Sequence, residues 1–254
     1  MANKDLMLSA SAINLFIEER ALWVLKHFFK TTGGFNIYAV RGKVAEEVAN
    51  MRIENGTTPS FKDYLPVALS KIVFDDVEVS KSDLKDFYKW GLVCDKELQP
   101  YEILSIQDKL EGDLFGMPFI GYTDYLVKED GKKFYLDLKT TAKVPHILTR
   151  GPRKGRLPAI KAANVRQQVI YQHITGIPCV LKYINEAGEV LKYPIQDADV
   201  EEYLPQVEKV IKKIKKYLTS NIEDVIIDTY PKNMGSFYWD ETTREKAKQI
   251  WRIT

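Results

Sequence analysis

Cysteine, histidine and long apolar runs are what this 254-residue chain has least of. Its two cysteines, Cys94 and Cys179, exclude a disulfide framework and cannot by themselves supply a four-cysteine zinc or iron–sulfur site. Its three histidines, His27, His146 and His173, show no ligand spacing. No apolar run approaches the roughly 20 residues of a membrane span. The opening stretch, MANKDLMLSASAINLF, lacks a basic n-region with a cleavable apolar h-region, and lacks an Arg-rich transit pattern. The expected location is therefore intracellular, in the cytoplasm. Internal repeats and low-complexity linkers are absent too. One further absence is local. Between Leu138 and Asn185 there is no Asp or Glu, while Lys139, Lys143, Arg150, Arg153, Lys154, Arg156, Lys161, Arg166 and Lys182 fall in that window. Net charge is only +2, so the basic character is concentrated rather than general. Such a stretch suits a polyanion, although a solvated loop around RGPRKGRLP would have the same composition.

What is present points to one hairpin. In IGYTDYLVKEDGKKFYLDLKTTAK, Asp130-Gly131 is a strong signal for a two-residue type I′ turn. That loop pairs Glu129 with Lys132 and, carried back along the strands, Asp124 with Asp137 and Tyr122 with Lys139. Tyr125, Val127, Phe134, Leu136 and Leu138 form the other, apolar face. Opposed carboxylates repel at the roughly 5 Å spacing of cross-strand neighbours. A divalent cation between them would offset this, with oxygen ligands at about 2.0–2.6 Å. A wet polar face screened by Lys133, Lys139 and solvent would account for the same residues.

Periodicity places helices before the hairpin: one from Ser9 or Ser11 through about Phe29, one over about Arg41–Arg52, and two in PSFKDYLPVALSKIV and KSDLKDFYKWGLV. From Tyr101 the pattern turns strand-like. After the basic loop, a helix runs from near Ile160 to Thr175 and closes at Gly176. A hairpin then turns at Ala187-Gly188, and DADVEEYLPQVEKVIKKIKKYLTS is strongly amphipathic. A short helix is expected around ETTREKAKQIW. This order gives a mixed α/β (α+β) class: a central mixed sheet flanked by helices, with a helical N-terminal layer.

One more pair completes a pattern. In VRQQVIYQHITG, Gln167 and Tyr171 lie four residues apart on one helical face. A strand Asp124, then DLK on the next strand, a basic loop, and a helix carrying Q-x-x-x-Y resembles the RecB-type clade of the PD-(D/E)xK nuclease superfamily. The resemblance spans most of the chain. SASAINLFIEERALWVLKHFF is similar to the clade's serine-bearing first helix, and RGKVAEEV to its G-x-x-x-H helix. D-x-K or Q-x-x-x-Y alone says little; the ordered set is specific. The chain departs from the pattern at the usual histidine. Gly42 plus four is Glu46, a hard oxygen ligand suited to Mg²⁺. The neighbouring Glu47 is the alternative register.

The resemblance implies a restriction-endonuclease-like core within a single domain over 1–254: a mainly helical part to about 100, a catalytic core over 101–220, and a C-terminal extension from 221. It implies Mg²⁺ or Mn²⁺ held by Glu46, Asp124, Asp137 and the Leu138 carbonyl, without an iron–sulfur cluster. Catalytic roles fall to Asp124, Asp137 and Lys139, with Gln167 and Tyr171 positioning substrate or lysine. Ser9, Ser11, Arg41, Lys143, Arg150, Arg153, Lys154, Arg156 and Arg166 make up the expected DNA-facing set. The implied activity is metal-dependent DNA exonuclease action with little sequence preference, on single strands or ends, in recombination, repair, replication or degradation. An endonuclease on the same core, or a non-catalytic DNA-binding subunit, is the alternative.

Overall fold

The computed structural model describes residues 6–31, 37–71, 79–236 and 238–253. Helices come first in chain order: α1 (Ala10–Glu18), α2 (Arg20–Phe28), α3 (Ile37–Asn55), α4 (Phe61–Lys71) and α5 (Lys81–Leu98). Strands follow: β1 (Glu102–Ile106), β2 (Lys109–Asp113), β3 (Pro118–Tyr122), β4 (Tyr125–Glu129) and β5 (Lys132–Thr140). A 3₁₀ turn (Ala159–Lys161) leads into α6 (Ala162–Thr175), then β6 (Cys179–Ile184) and β7 (Val190–Pro194), α7 (Asp197–Thr219), α8 (Ile222–Asp228) and α9 (Glu241–Trp251). The mixed α/β class is the one that the residue patterning predicts. Among the described residues no helix is long and apolar enough to cross a membrane.

The chain forms two compact units: Met1–Gly34, Leu110–Gly121 and Asp197–Thr254 make one, Phe35–Lys109 and Tyr122–Gln196 the other. In the first, α1 packs on α7, and α2 on α8 and α9. Ile13, Phe16, Trp23, Val207, Ile211 and Ile214 are among the residues buried there. Ser9 caps α1, its hydroxyl accepting from the Ala12 N–H at 3.2 Å. The single helix expected through Phe29 is broken at Glu19, whose φ of −139° and ψ of 72° are not helical. The reason is tertiary: the Glu19 carboxylate accepts hydrogen bonds from Ser236 Oγ at 2.8 Å and Trp239 Nε1 at 3.1 Å. Helix α8, capped by Asn221, is too short to stand out from sequence periodicity.

His27 stacks on the buried Trp23, ring centroids 4.4 Å apart. Burial, reinforced by Lys30 and Lys26, lowers its pKa to about 4. Between that value and the unfolded value near 6.5, the unfolded chain binds the extra proton, so stability rises with pH. His27 thus contributes stability that is present above about pH 6.5 and lost as pH falls toward 4. After discounting for the part-exposed ring, the loss amounts to about 2 kcal/mol. Thermal melts of His27→Phe are expected to show a shallower decline over this window than wild type; parallel declines would refute the assignment.

The second unit is built on a five-stranded sheet in the order β1-β4-β5-β6-β7, antiparallel except for β5 beside β6. Tyr125, Val127, Phe134 and Leu136 turn one face of it against Ala45 and Ala49 of α3 and Trp90, Cys94 and Leu98 of α5. Helices α3 and α5 approach so closely that a Cβ at Gly91 would lie 2.5 Å from Val48 Cβ. Gly91→Ala is therefore expected to cost about 1–3 kcal/mol, read as a lowered denaturation midpoint. It would also displace α3, which carries Glu46. A wild-type midpoint would show that the helices can part at no cost.

Candidate active site

The Asp130-Gly131 hairpin forms largely as its turn dictates. Asp130 and Gly131 both hold positive φ, 50° and 78°, and pairs run from Glu129–Lys132 to Tyr125–Leu136 in the expected register. The ladder stops there, one pair short of Asp124–Asp137. Around Asp124 the backbone is engaged by the connection between β1 and β2: Thr123 N–H donates to the Asp108 carbonyl at 3.0 Å, and Gln107 N–H to the Asp124 carbonyl at 2.9 Å. The segment before it, Ile120–Tyr122, belongs to β3 and the two-stranded sheet with β2. The expected Tyr122–Lys139 pair therefore does not form, and Lys139 instead neighbours Tyr183 on parallel β6. Asp124 still reaches β5 through its side chain, where Oδ2 accepts the Leu138 N–H at 3.0 Å.

The polar side of β5 is not wet, because Asp137 is only 3% exposed. Lys139 Nζ donates to Asp137 Oδ1 at 2.9 Å and stands 2.8 Å from Oδ2. Burial disfavours the Lys139 charge, yet Asp137 and Asp124 outweigh it and hold the ammonium above the ordinary lysine range. Asp137 is raised by burial, opposed by Lys139 and Gln168. The Gln168 amide, 1% exposed, comes close enough to favour the Asp137 charge, though its Nε2 makes no hydrogen bond of regular geometry. On α6 the two sequence-selected residues meet: Gln167 Nε2 donates to Tyr171 OH at 3.1 Å. Burial raises the Tyr171 pKa, and the ring lies within the fields of Asp137 and Lys139. Tyr183 OH accepts from Asn164 Nδ2 at 3.0 Å, tying the start of α6 to β6 beside Lys139.

Glu46, Asp124, Leu138 and Lys139 line one cavity of about 290 Å³, with Tyr38 and Gly42 on its α3 side. Burial, with repulsion from Asp137 and Glu46, holds Asp124 well above the usual carboxylate range, against Lys139 and the Leu138 N–H. Glu46 is raised by burial, with Asp137 and Glu47 adding and Gln107 and Lys139 opposing. Its Oε1 accepts from Gln107 Nε2 at 2.9 Å. Of the two glutamates left open by spacing, Glu46 is the one on this cavity; the charge of Glu47 acts on Tyr64. Cys94 also lines the cavity, its thiol pushed up to about 12 by burial, then by Asp124 and Glu46.

Gln107 and Gln168 escape sequence reasoning. Gln168 sits beside the motif residue Gln167 and has no separate signature. Gln107, at a positive φ of 52°, holds the Asp124 carbonyl with its backbone and Glu46 with its side chain. Nothing local in the sequence announces a contact made across 61 positions.

The basic residues are dispersed. Lys143, Arg150 and Lys154 are exposed and Arg153 is half-buried. Arg156 and Arg166, which belong to the same expected DNA-facing set, are drawn inward, 8% and 4% exposed. Burying an Arg requires partners, and both have them. Arg41 lies with its guanidinium 4.4 Å from the Trp90 ring centroid and 5.5 Å from that of Tyr38. Ser9 and Ser11 belong to the other unit, where Ser9 caps α1 and the two hydroxyls lie 2.9 Å apart.

Among the described residues no group of three His, Cys, Asp or Glu side chains stands ready as a cage for a metal ion. As it stands, Asp137 is paired with Lys139, and Asp124 takes the Leu138 N–H. The donor chemistry nonetheless fits a hard divalent cation: buried carboxylates whose charge is opposed by burial and mutual repulsion, with the Lys139 ammonium offsetting part of it.

No family model matches the chain, and no curated protein matches it. Its fold is shared with the crystal structure of a candidate exonuclease from Eubacterium rectale, at a TM-score of 0.61 and 14% identity, covering 94% of this chain and 87% of that one. A second solved structure, SSO0001, aligns over 84% of this chain and 85% of its own at 13% identity, but with a TM-score of 0.32 it carries no argument. The first likeness shows that the two chains share an α+β fold.

Proposed function

We propose that this protein is a metal-dependent nuclease hydrolysing phosphodiester bonds in DNA with little sequence preference, and that it works as an exonuclease on single strands or ends. One observation carries the reading: Glu46 and Asp124 line one cavity with Lys139, whose ammonium is paired with the buried Asp137, so that three acids act on one another there. Three acids so placed raise the cost of folding unless their charge serves something. The fold shared with a candidate exonuclease supports the same reading.

In this reading Glu46, Asp124, Asp137 and the Leu138 carbonyl hold Mg²⁺ or Mn²⁺, which supplies Lewis acidity and a water of lowered pKa. The ammonium of Lys139, held by Asp137, donates from Nζ toward a phosphoryl oxygen and stabilises charge that develops there. Tyr171, whose hydroxyl accepts from Gln167 Nε2, lies within the field of Lys139 on the α6 side. Gln107 holds Glu46 and the Asp124 backbone in register. The exposed Lys143, Arg150 and Lys154 contact phosphates, which position a strand without reading its bases.

Oligonucleotides labelled at the 5′ or 3′ end, linear and circular, with and without Mg²⁺ or Mn²⁺, test this. Metal-dependent shortening of linear strands only is the expected result. Cutting of circles would make it an endonuclease; binding without hydrolysis under any metal would overturn the enzymatic reading.

A further inference from the structure

We propose that the face of α3 carrying Tyr38, Gly42 and Glu46 seats the terminal nucleotide of a single strand, with Tyr38 as the platform on which its base stacks. This rests on the nuclease reading above and adds to it the residue that recognises an unpaired end. Three observations converge.

First, Tyr38 is a large aromatic left 69% exposed, yet it lines the same cavity as Glu46, Asp124 and Lys139. Its exposure is therefore at the mouth of the site rather than on a remote surface. Second, Tyr38, Gly42 and Glu46 fall at successive intervals of four, so they share one side of the helix over an axial rise of about 12 Å. Gly42 sits inside α3, and a Cβ placed there would meet nothing within 4 Å. Helix interiors disfavour glycine relative to alanine. Neither a close neighbour nor a positive φ requires it here. Bare backbone between Tyr38 and the carboxylates leaves open room in which a sugar can lie. Third, the Arg41 guanidinium stands 5.5 Å from the Tyr38 ring centroid and 4.4 Å from that of Trp90, and Arg41 Nε is buried without a hydrogen bond. A cation held against the buried Trp90 and beside Tyr38 restrains the exposed ring.

Nucleobases all present a π-face, so stacking on Tyr38 binds them without discriminating sequence. A paired base is already stacked in its duplex and has to be freed first. The arrangement thus selects a frayed or single-stranded end over a blunt duplex. From Tyr38 the strand passes over Gly42 and brings its phosphate to the Asp124–Lys139 end of the cavity.

The test compares Tyr38→Ala, Tyr38→Phe and Gly42→Leu on paired substrates, a single-stranded oligonucleotide and the same strand with an abasic nucleotide at the digested end. Binding is also measured by fluorescence anisotropy without divalent metal. Tyr38→Ala is expected to weaken binding and raise KM for the intact strand by on the order of tenfold, and to change neither further on the abasic strand. Tyr38→Phe, which keeps the ring, restores wild-type behaviour. Gly42→Leu should weaken both strands while melting at or above wild type. An equal Tyr38→Ala effect on intact and abasic strands, no effect at all, or failure of phenylalanine to rescue would overturn the proposal. So would tight strand binding by Gly42→Leu. Wild-type protein that hydrolyses no DNA would sink the nuclease reading itself, whereas hydrolysis with no base-dependent Tyr38 effect sinks only this inference.

Discussion

Asp124→Asn, Asp137→Asn and Lys139→Met are each expected to lower DNA cleavage by at least about a hundredfold to a thousandfold, the scale set by removing one preorganised charge from a reacting centre. Their stabilities should diverge. Asparagine at 124 keeps an oxygen for the Leu138 N–H and removes a charge that burial and Asp137 both oppose. Without divalent metal, Asp124→Asn should therefore melt above wild type. Lys139→Met instead strips Asp137 of its ammonium and leaves a buried carboxylate beside another. Breaking such a pair from one side costs about 2–3 kcal/mol here, after allowance for the part-exposed lysine, so this variant should melt lower. Cleavage assays paired with metal-free melts check both. A wild-type rate in Lys139→Met would refute the catalytic assignment, and a lowered melt in Asp124→Asn would refute the electrostatic one.

The next largest effect concerns α3. Glu46→Gln keeps an acceptor for Gln107 Nε2 but loses the charge, so Mn²⁺ affinity measured by titration calorimetry should fall at least tenfold to a hundredfold. Glu46→His should recover part of the activity, more with Mn²⁺ than with Mg²⁺, because imidazole suits the softer ion. Glu47→Gln should be close to wild type, since Glu46 lines the cavity and Glu47 does not. The reverse ranking would transfer the ligand to Glu47. Unchanged metal binding in both would leave the carboxylates of the hairpin alone.

Local chemistry made several elements legible. The Asp130-Gly131 turn defines its own register, because a two-residue loop with both φ values positive allows a single pairing of the strands that follow. Gly176, at φ 69°, ends α6 where the sequence placed its end. The amphipathic stripe of α7 is buried at Val207, Ile211 and Ile214. Four-residue spacing put Gln167 and Tyr171 on one helical face, and there they bond.

What spacing could not reach depends on contacts distant in sequence. Asp124 leaves the ladder because Gln107 and Asp108 take the backbone around it, and no turn propensity near 124 encodes a competitor for those hydrogen bonds. Glu19 breaks a helix whose periodicity runs on unbroken, because Ser236 and Trp239 bind its carboxylate. Arg156 and Arg166 look in sequence like their exposed neighbours Arg150 and Lys154, yet packing draws them in. Glu46 and Glu47 differ by one position, and only the docking of α3 against the sheet decides which of them meets Asp124 and Lys139. The sequence alone determined which residue types the cavity could draw upon and the register of the hairpin whose second strand carries Asp137 and Lys139, because turns and periodicity are local. The tertiary structure decided which carboxylates share a field, because that depends on helices and strands brought together from far apart in the chain.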